Sequence, residues 1–483
     1  MAAFFTPRGF FILNSDLIYA IIDEIDPQNS LSNPPFRSKV LCTLSCVCKA
    51  FLFAARSKLL SSISLFLYTP EVNEKRAAIL FGLLQKKPAL LHSIRSMALI
   101  FKGPAHVVRD LGISAVSGPT IDLINLVLRS ISLKHFSIEQ RQDDPHNPTP
   151  HFEWSQLGGF LGTTIIMSGI HANPSLESLR FINIHSLPPQ LILSRFSSNS
   201  LRELSITDGG FSFPRGIKES TRVEWDFSSI EVLTLLGQSM SSMSAFLKSP
   251  YAPLDSNSNP ISLPAPTYFT RLHTLRIRAL FDHTFFLSIG QALQTLELCV
   301  LKENPVYVLK SVPLDKLTRL KTFKIYMELG VNRVNPHLLA QDLKVIRLFL
   351  QSISSLTNLL NIHIGFLIEM KDFTFVLTNL APCFNFSYLN IINSTEWARL
   401  DKVLSNANPN FTALQHISLR IEKYYPCNDI SMEGTCSQDE DSKIPLSSIL
   451  PFACQRHTLR HTDFGVYSIY TSENMAALVD RSF

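Results

Sequence analysis

The apolar residues of this chain follow one spacing near its start and another beyond it. Over residues 16–25, Leu17, Ile18, Ile21, Ile22 and Ile25 recur at i, i+1, i+4, i+5 and i+8, a single stripe on a 3.6-residue helix, with Asn14 or Ser15 placed to cap it. The run DPQNSLSNPP at 26–35 breaks that helix. From Arg37 onward, Val40, Leu41, Leu44, Val47, Cys48, Phe51, Leu52 and Ala55 mark a second stripe. Helices this short cannot bury so much apolar surface by themselves, so they must pack on the rest of the chain or on a partner.

Beyond about residue 70 a six-residue template, apolar-x-x-apolar-x-apolar, recurs. It starts at Leu133, Leu176, Leu201, Ile230, Leu272, Leu293, Leu320, Leu359, Phe386 and Leu414, with weaker copies at Ile94 and Leu459. The intervals run from 21 to 45 residues, several of them inside the 20–29 window of leucine-rich repeats. Helical patterns precede several copies: 71–87 before Ile94, 121–131 before Leu133, 341–354 before Leu359 and 395–405 before Leu414. Strands alternating with helices imply parallel strands with crossovers. The expected fold class is α/β, with a small N-terminal helical module at 8–68 and an irregular repeat solenoid of horseshoe type at 69–483. Loop inserts are expected near 140–153, 249–266 and 426–445, and Asp429, Glu433, Asp439, Glu440 and Asp441 make the last acidic enough to expect disorder.

The N-terminal residues resemble a known family. Leu13-Asn14-Ser15-Asp16-Leu17-Ile18, then Ile21-Ile22-Asp23-Glu24-Ile25, then Leu44-Ser45-Cys46-Val47-Cys48-Lys49-Ala50-Phe51 are similar to the F-box. With Ala55 to Leu65 and the repeats downstream, the pattern is that of fungal F-box proteins carrying irregular leucine-rich repeats. Asn14 and Asp16 replace the usual Pro and Glu, and the linker at 26–35 is longer than usual. The resemblance implies the substrate-recognition subunit of an SCF-type ubiquitin ligase, a receptor without catalytic residues of its own. It would dock on a Skp-family adaptor, and through it on a cullin scaffold, by Leu13, Leu17, Ile21, Ile25, Leu44, Val47, Cys48 and Phe51. The repeats would hold a target protein whose identity the sequence does not give. Read from pattern alone, the same stripes could instead cap the array, leaving a repeat scaffold for protein binding with no ubiquitin-ligase link.

Composition narrows the function further. Charged residues make up 17% of 483, against about 25% in a typical soluble domain, as expected of a chain that commits several positions per repeat to a core. The net charge of +5 is spread without a dense basic block, so neither nucleic acid nor membrane is expected as a partner. The apolar run before Asn14 is short and interrupted by Arg8, a poor signal peptide, which points to the cytoplasm or nucleus. Eight cysteines in so long a chain form no disulfide framework. Within a template strand the residue between the last two apolar positions faces the opposite side: Arg180, Ser205, Thr234, Arg276, Glu297, Lys324, His363, Asn390 and Ser418. Two positions on, Arg278, Tyr326 and Arg420 share that side. Arg276, Arg278, Lys324 and Tyr326 are therefore the candidate contacts for an acidic or phosphorylated partner segment.

No cofactor or metal is expected. Cys454, His457 and His461 have ligand-like spacing but no second cysteine at zinc-finger distance, and Cys46 and Cys48 stand about 200° apart on a helix. Phosphate-loop, G-x-S-x-G and H-E-x-x-H patterns are absent, so no enzyme chemistry is expected.

Overall fold

The computed structural model describes residues 18, 41–46, 49–67, 70–102, 118–141, 152–188, 191, 200–211, 229–237, 269–278, 292–300, 317–329, 336–352, 358–369, 395–405, 411, 413–426, 436–438, 449–450, 454–455 and 461–471. The fold is α/β, built on one large parallel sheet. Its strands are β1 (Ser62–Phe66), β2 (Ser96–Lys102), β3 (His135–Arg141), β5 (Ser178–Ile182), β7 (Glu203–Thr207), β8 (Val232–Leu236), β9 (Thr274–Arg278) and β10 (Thr295–Val300). They continue with β11 (Thr322–Leu329), β12 (Asn361–Glu369), β13 (His416–Pro426) and β15 (His461–Thr471), each parallel to the one before it. β14 (Cys436–Gln438) closes the far edge antiparallel to β15, and a separate pair joins β4 (Phe152–Glu153) to β6 (Ile184–His185).

The template accounts for the register. Leu179, Leu204, Leu233, Leu275, Leu296, Phe323, Ile362 and Ile417 stand side by side across the sheet, and Phe181, Ile206, Leu235, Ile277, Leu298, Ile325, Ile364 and Leu419 form the next row. All are buried, because alternate residues of a strand face the same side and these positions are apolar in every copy. One backbone clasp recurs at each step. The carbonyl of Lys134 accepts the N–H groups of Glu177 and Ser178, that of Glu177 accepts Arg202 and Glu203, and so on through Leu360, which accepts Gln415 and His416.

α1 (Lys49–Leu60) leads into β1, and the apolar side carries α2 (Pro70–Lys86), α3 (Gly118–Leu128), a π-helical run Gly158–Met167 that continues as α4 (Ser168–Ala172), α5 (Pro336–Ser352) and α6 (Thr395–Leu404). Leu123, Val127, Ile346, Phe349, Trp397 and Leu400 join the strand residues in one continuous core. Trp397 meets Phe366 edge-on at 6.1 Å, and Phe323 packs on Phe349 at 5.1 Å, so α5 and α6 sit directly on β11 and β12. α2, α3 and α6 match the expected helices to within one turn, and α5 starts five residues earlier than expected. Among the described residues no helix is long and apolar enough to cross a membrane.

Several expectations change. The copy at Phe386, with Asn390, lies outside the described residues. β12 pairs directly with β13 from Asn361 opposite His416 to Glu369 opposite Tyr424. The acidic insert at 426–445 contains a strand, β14, because edge pairing is made by the backbone and is indifferent to acidic composition. The expected insert at 140–153 is bounded by β3, which runs to Arg141, and β4, which starts at Phe152, while 249–266 lies outside the described residues. The sheet begins at Ser62, inside the stretch read as the N-terminal module, since β1 pairs with β2.

Candidate protein-interaction surfaces

The polar side of the sheet carries the row expected from strand alternation. Arg180, Ser205, Thr234, Arg276, Glu297, Lys324, His363, Ser418 and Asp463 are consecutive register partners on nine strands. Arg278, Cys299, Tyr326, Gly365 and Arg420 form the row two residues on. From β9 to β13 these two rows thus carry four basic residues and one carboxylate.

That carboxylate organises the centre of the face. Glu297 is only 2% exposed, and it accepts from Arg276 Nε at 3.1 Å and Lys324 Nζ at 2.8 Å. A buried carboxylate requires such partners, since an unpaired charge out of water is costly. Arg276 and Lys324 are brought together as expected, but as two arms around Glu297. The alignment of template copies places Glu297 between two cations, and that was the available sign of this pairing. Tyr326 lies across Gly365: a Cβ added at Gly365 would come within 2.3 Å of the Tyr326 ring. The side chain of Arg278 lies outside what is described.

Beside Lys324 stands His363, whose ring meets that of His416 at 4.9 Å and 75°. Burial, aided by His416 and Lys324, lowers the His363 pKa to about 4, so this imidazole is neutral at physiological pH. On the helical side a second ion cluster ties α5 to α6: Arg347 Nε donates to Glu396 Oε2 at 3.2 Å, and Arg399 pairs with the other oxygen. At the start of the rungs, Lys134 pairs with Glu177, and Glu231 lies 3.9 Å from Arg202 and 3.7 Å from His273. The hydrogen bond from Lys134 holds the Glu177 carboxyl below its usual range.

The N-terminal residues form a second, separate apolar cluster. Ile18, Leu41, Phe51, Ala54 and Ala55 are buried together, with Leu44 and Leu59 packed against them. Of the eight candidate docking residues, Phe51 is buried in this cluster and Leu44 lies on its edge. Leu13, Leu17, Ile21, Ile25, Val47 and Cys48 lie outside the described residues. α1 is fixed to the array by the hydrogen bond from Ser57 to Ser93 at 3.2 Å and continues into β1. Cys42 and Cys46 are exposed. Compared with known protein families and with curated proteins, the chain matches no family model and no curated sequence.

Proposed function

We propose that this chain is the substrate receptor of an SCF-type ubiquitin ligase. Its N-terminal helices dock on a Skp-family adaptor, which links it to a cullin scaffold, and the polar face of its leucine-rich-repeat array holds the target protein. The ligase link rests on the likeness of Leu13–Ile25 and Leu44–Phe51 to an F-box. The observation that carries the receptor reading is the polar face itself. A parallel sheet that packs helices into the core on its apolar side leaves its other side for a partner, and the basic positions Arg276, Arg278, Lys324 and Arg420, with Tyr326, suit an acidic or phosphorylated segment.

The chain is expected to co-purify with the adaptor. Leu17→Asp and Val47→Asp should each abolish that association while leaving the circular dichroism of the array unchanged; an adaptor complex that survives both substitutions rules the docking model out. The burial of Phe51 in a local cluster joined to β1 favours a second reading, in which the helices only cap a protein-binding scaffold. Deleting residues 1–60 then destabilises the array, whereas under the receptor reading it removes one partner.

A further inference from the structure

Three aromatic rings share the polar side of three neighbouring strands. His363 on β12 and His416 on β13 stand edge to face, with centroids 4.9 Å apart. On β11, Tyr326 lies across Gly365: a Cβ added there would come within 2.3 Å of ring atom Cδ1 and 2.7 Å of Cε1. The ring therefore extends over β12, the strand that separates Tyr326 from Arg420 in the register. We propose that this patch seats a phosphotyrosine side chain of the target, its ring packed among Tyr326, His363 and His416 and its phosphate held by Lys324 and Arg420. The seat belongs to the polar face read above as the target-binding surface, and it rests on that reading.

Charge and shape both favour such a guest. In the rows from Thr322, Asn361 and His416 to Tyr326, Gly365 and Arg420, the three strands present two cations and no carboxylate. Acidic residues bound that stretch: Glu297 on β10, Asp463 on β15, and Glu328 and Glu422 in the next row. A patch so confined suits one phosphate, with close to two charges on a single group, better than a run of carboxylates along the partner. Lys324 Nζ bonds Glu297 at 2.8 Å, but an ammonium has three donors, so that bond does not exhaust it. Tyr326, His363 and His416 are each only part-buried, which leaves ring surface for a guest. Burial keeps His363 neutral, so it offers a ring and not a charge. Gly365 is buried and has no side chain, and that is what lets the Tyr326 ring lie down over β12. A Cβ there would displace the ring, which makes Gly365 a positioning residue. Two ring contacts of the size usual for aromatic pairs are worth about tenfold in affinity, which separates phosphotyrosine from phosphoserine at equal charge.

The test is fluorescence anisotropy on the full chain, with fluorescein-labelled pentapeptides that carry phosphotyrosine, phosphoserine or tyrosine between two Glu on each side. The phosphotyrosine peptide is expected to bind about tenfold more tightly than the phosphoserine one. Tyr326→Ala and Gly365→Ala should each erase that preference and leave phosphoserine binding unchanged, whereas Tyr326→Phe keeps the preference. Far-UV circular dichroism checks that each variant folds. Equal affinity for the two phosphopeptides, an equal loss of both in Tyr326→Ala, or tighter binding of a ten-residue oligothymidylate would each overturn the proposal. If all three peptides bind alike, the seat is ruled out and the acidic-segment reading of the face survives; if none binds at about 1 mM, that reading falls with it.

Discussion

Glu297 shows how one buried carboxylate sets the character of a surface. Without it, Arg276 and Lys324 would be two solvated cations; with it, each is held in place and half of their charge is spoken for. Glu297→Gln keeps the shape and removes the countercharge. It should lower stability by about 1–3 kcal/mol, measured by urea denaturation, because two cations lose their acceptor. The same change should strengthen binding of an acidic peptide in fluorescence anisotropy, with the gain shrinking as salt is raised. These opposite effects separate a receptor face from a merely structural ion pair. The row itself was legible in the sequence, since Arg276, Glu297 and Lys324 occupy one template position. The pairing had one sign there, Glu297 falling between the two cations, but the burial that makes it obligatory is revealed by no local pattern of charges.

At the level of elements, helices are recognised by long stripes and strands by their place in the template. α5 and α6 were legible because Leu343, Ile346, Leu350, Trp397, Leu400 and Leu404 mark one face of each. Trp397→Ala should cost about 3–5 kcal/mol in chemical denaturation, since it opens a cavity against Phe366 where two layers meet. Glu396→Ala should cost about 3 kcal/mol by leaving Arg347 without its buried partner, in the same measurement. Six residues of suitable pattern enter a sheet only where a neighbour offers free backbone groups. β12 and β13 satisfy each other along nine consecutive positions and leave none between them. β14 was not legible in the acidic insert, because its pairing with Tyr467 to Ile469 is carried by main-chain groups that composition does not report.

For the molecule as a whole, stability is distributed along an array in which each rung touches chiefly its neighbours. Among the described residues, Glu177 contributes to the acid limb of its stability curve. Glu177 has a lowered folded-state pKa, so its contribution is fully present above its unfolded value of 4.5 and is lost as pH falls through the lower folded one. Glu177→Gln should therefore flatten the loss of stability below about pH 4.5, read from thermal melts across an acid series, and change little at neutral pH.

The recurring clasp, one carbonyl accepting two N–H groups from the next rung, has a consequence for how such a chain can change length. Because the same bond pattern joins rungs separated by 21 residues and by 55, from Leu272 to Leu293 and from Leu359 to Leu414, register is set where strands touch and not by the tether between them. The array is thus open to excision. Removing residues 274–294 fuses His273 to Thr295, so Leu272, Leu296 and Leu298 reconstitute one intact template and β8 gains β10 as its neighbour. The shortened protein should still unfold cooperatively in urea, with a smaller denaturant slope in keeping with the surface it no longer buries. A rung in this fold behaves as a removable tile.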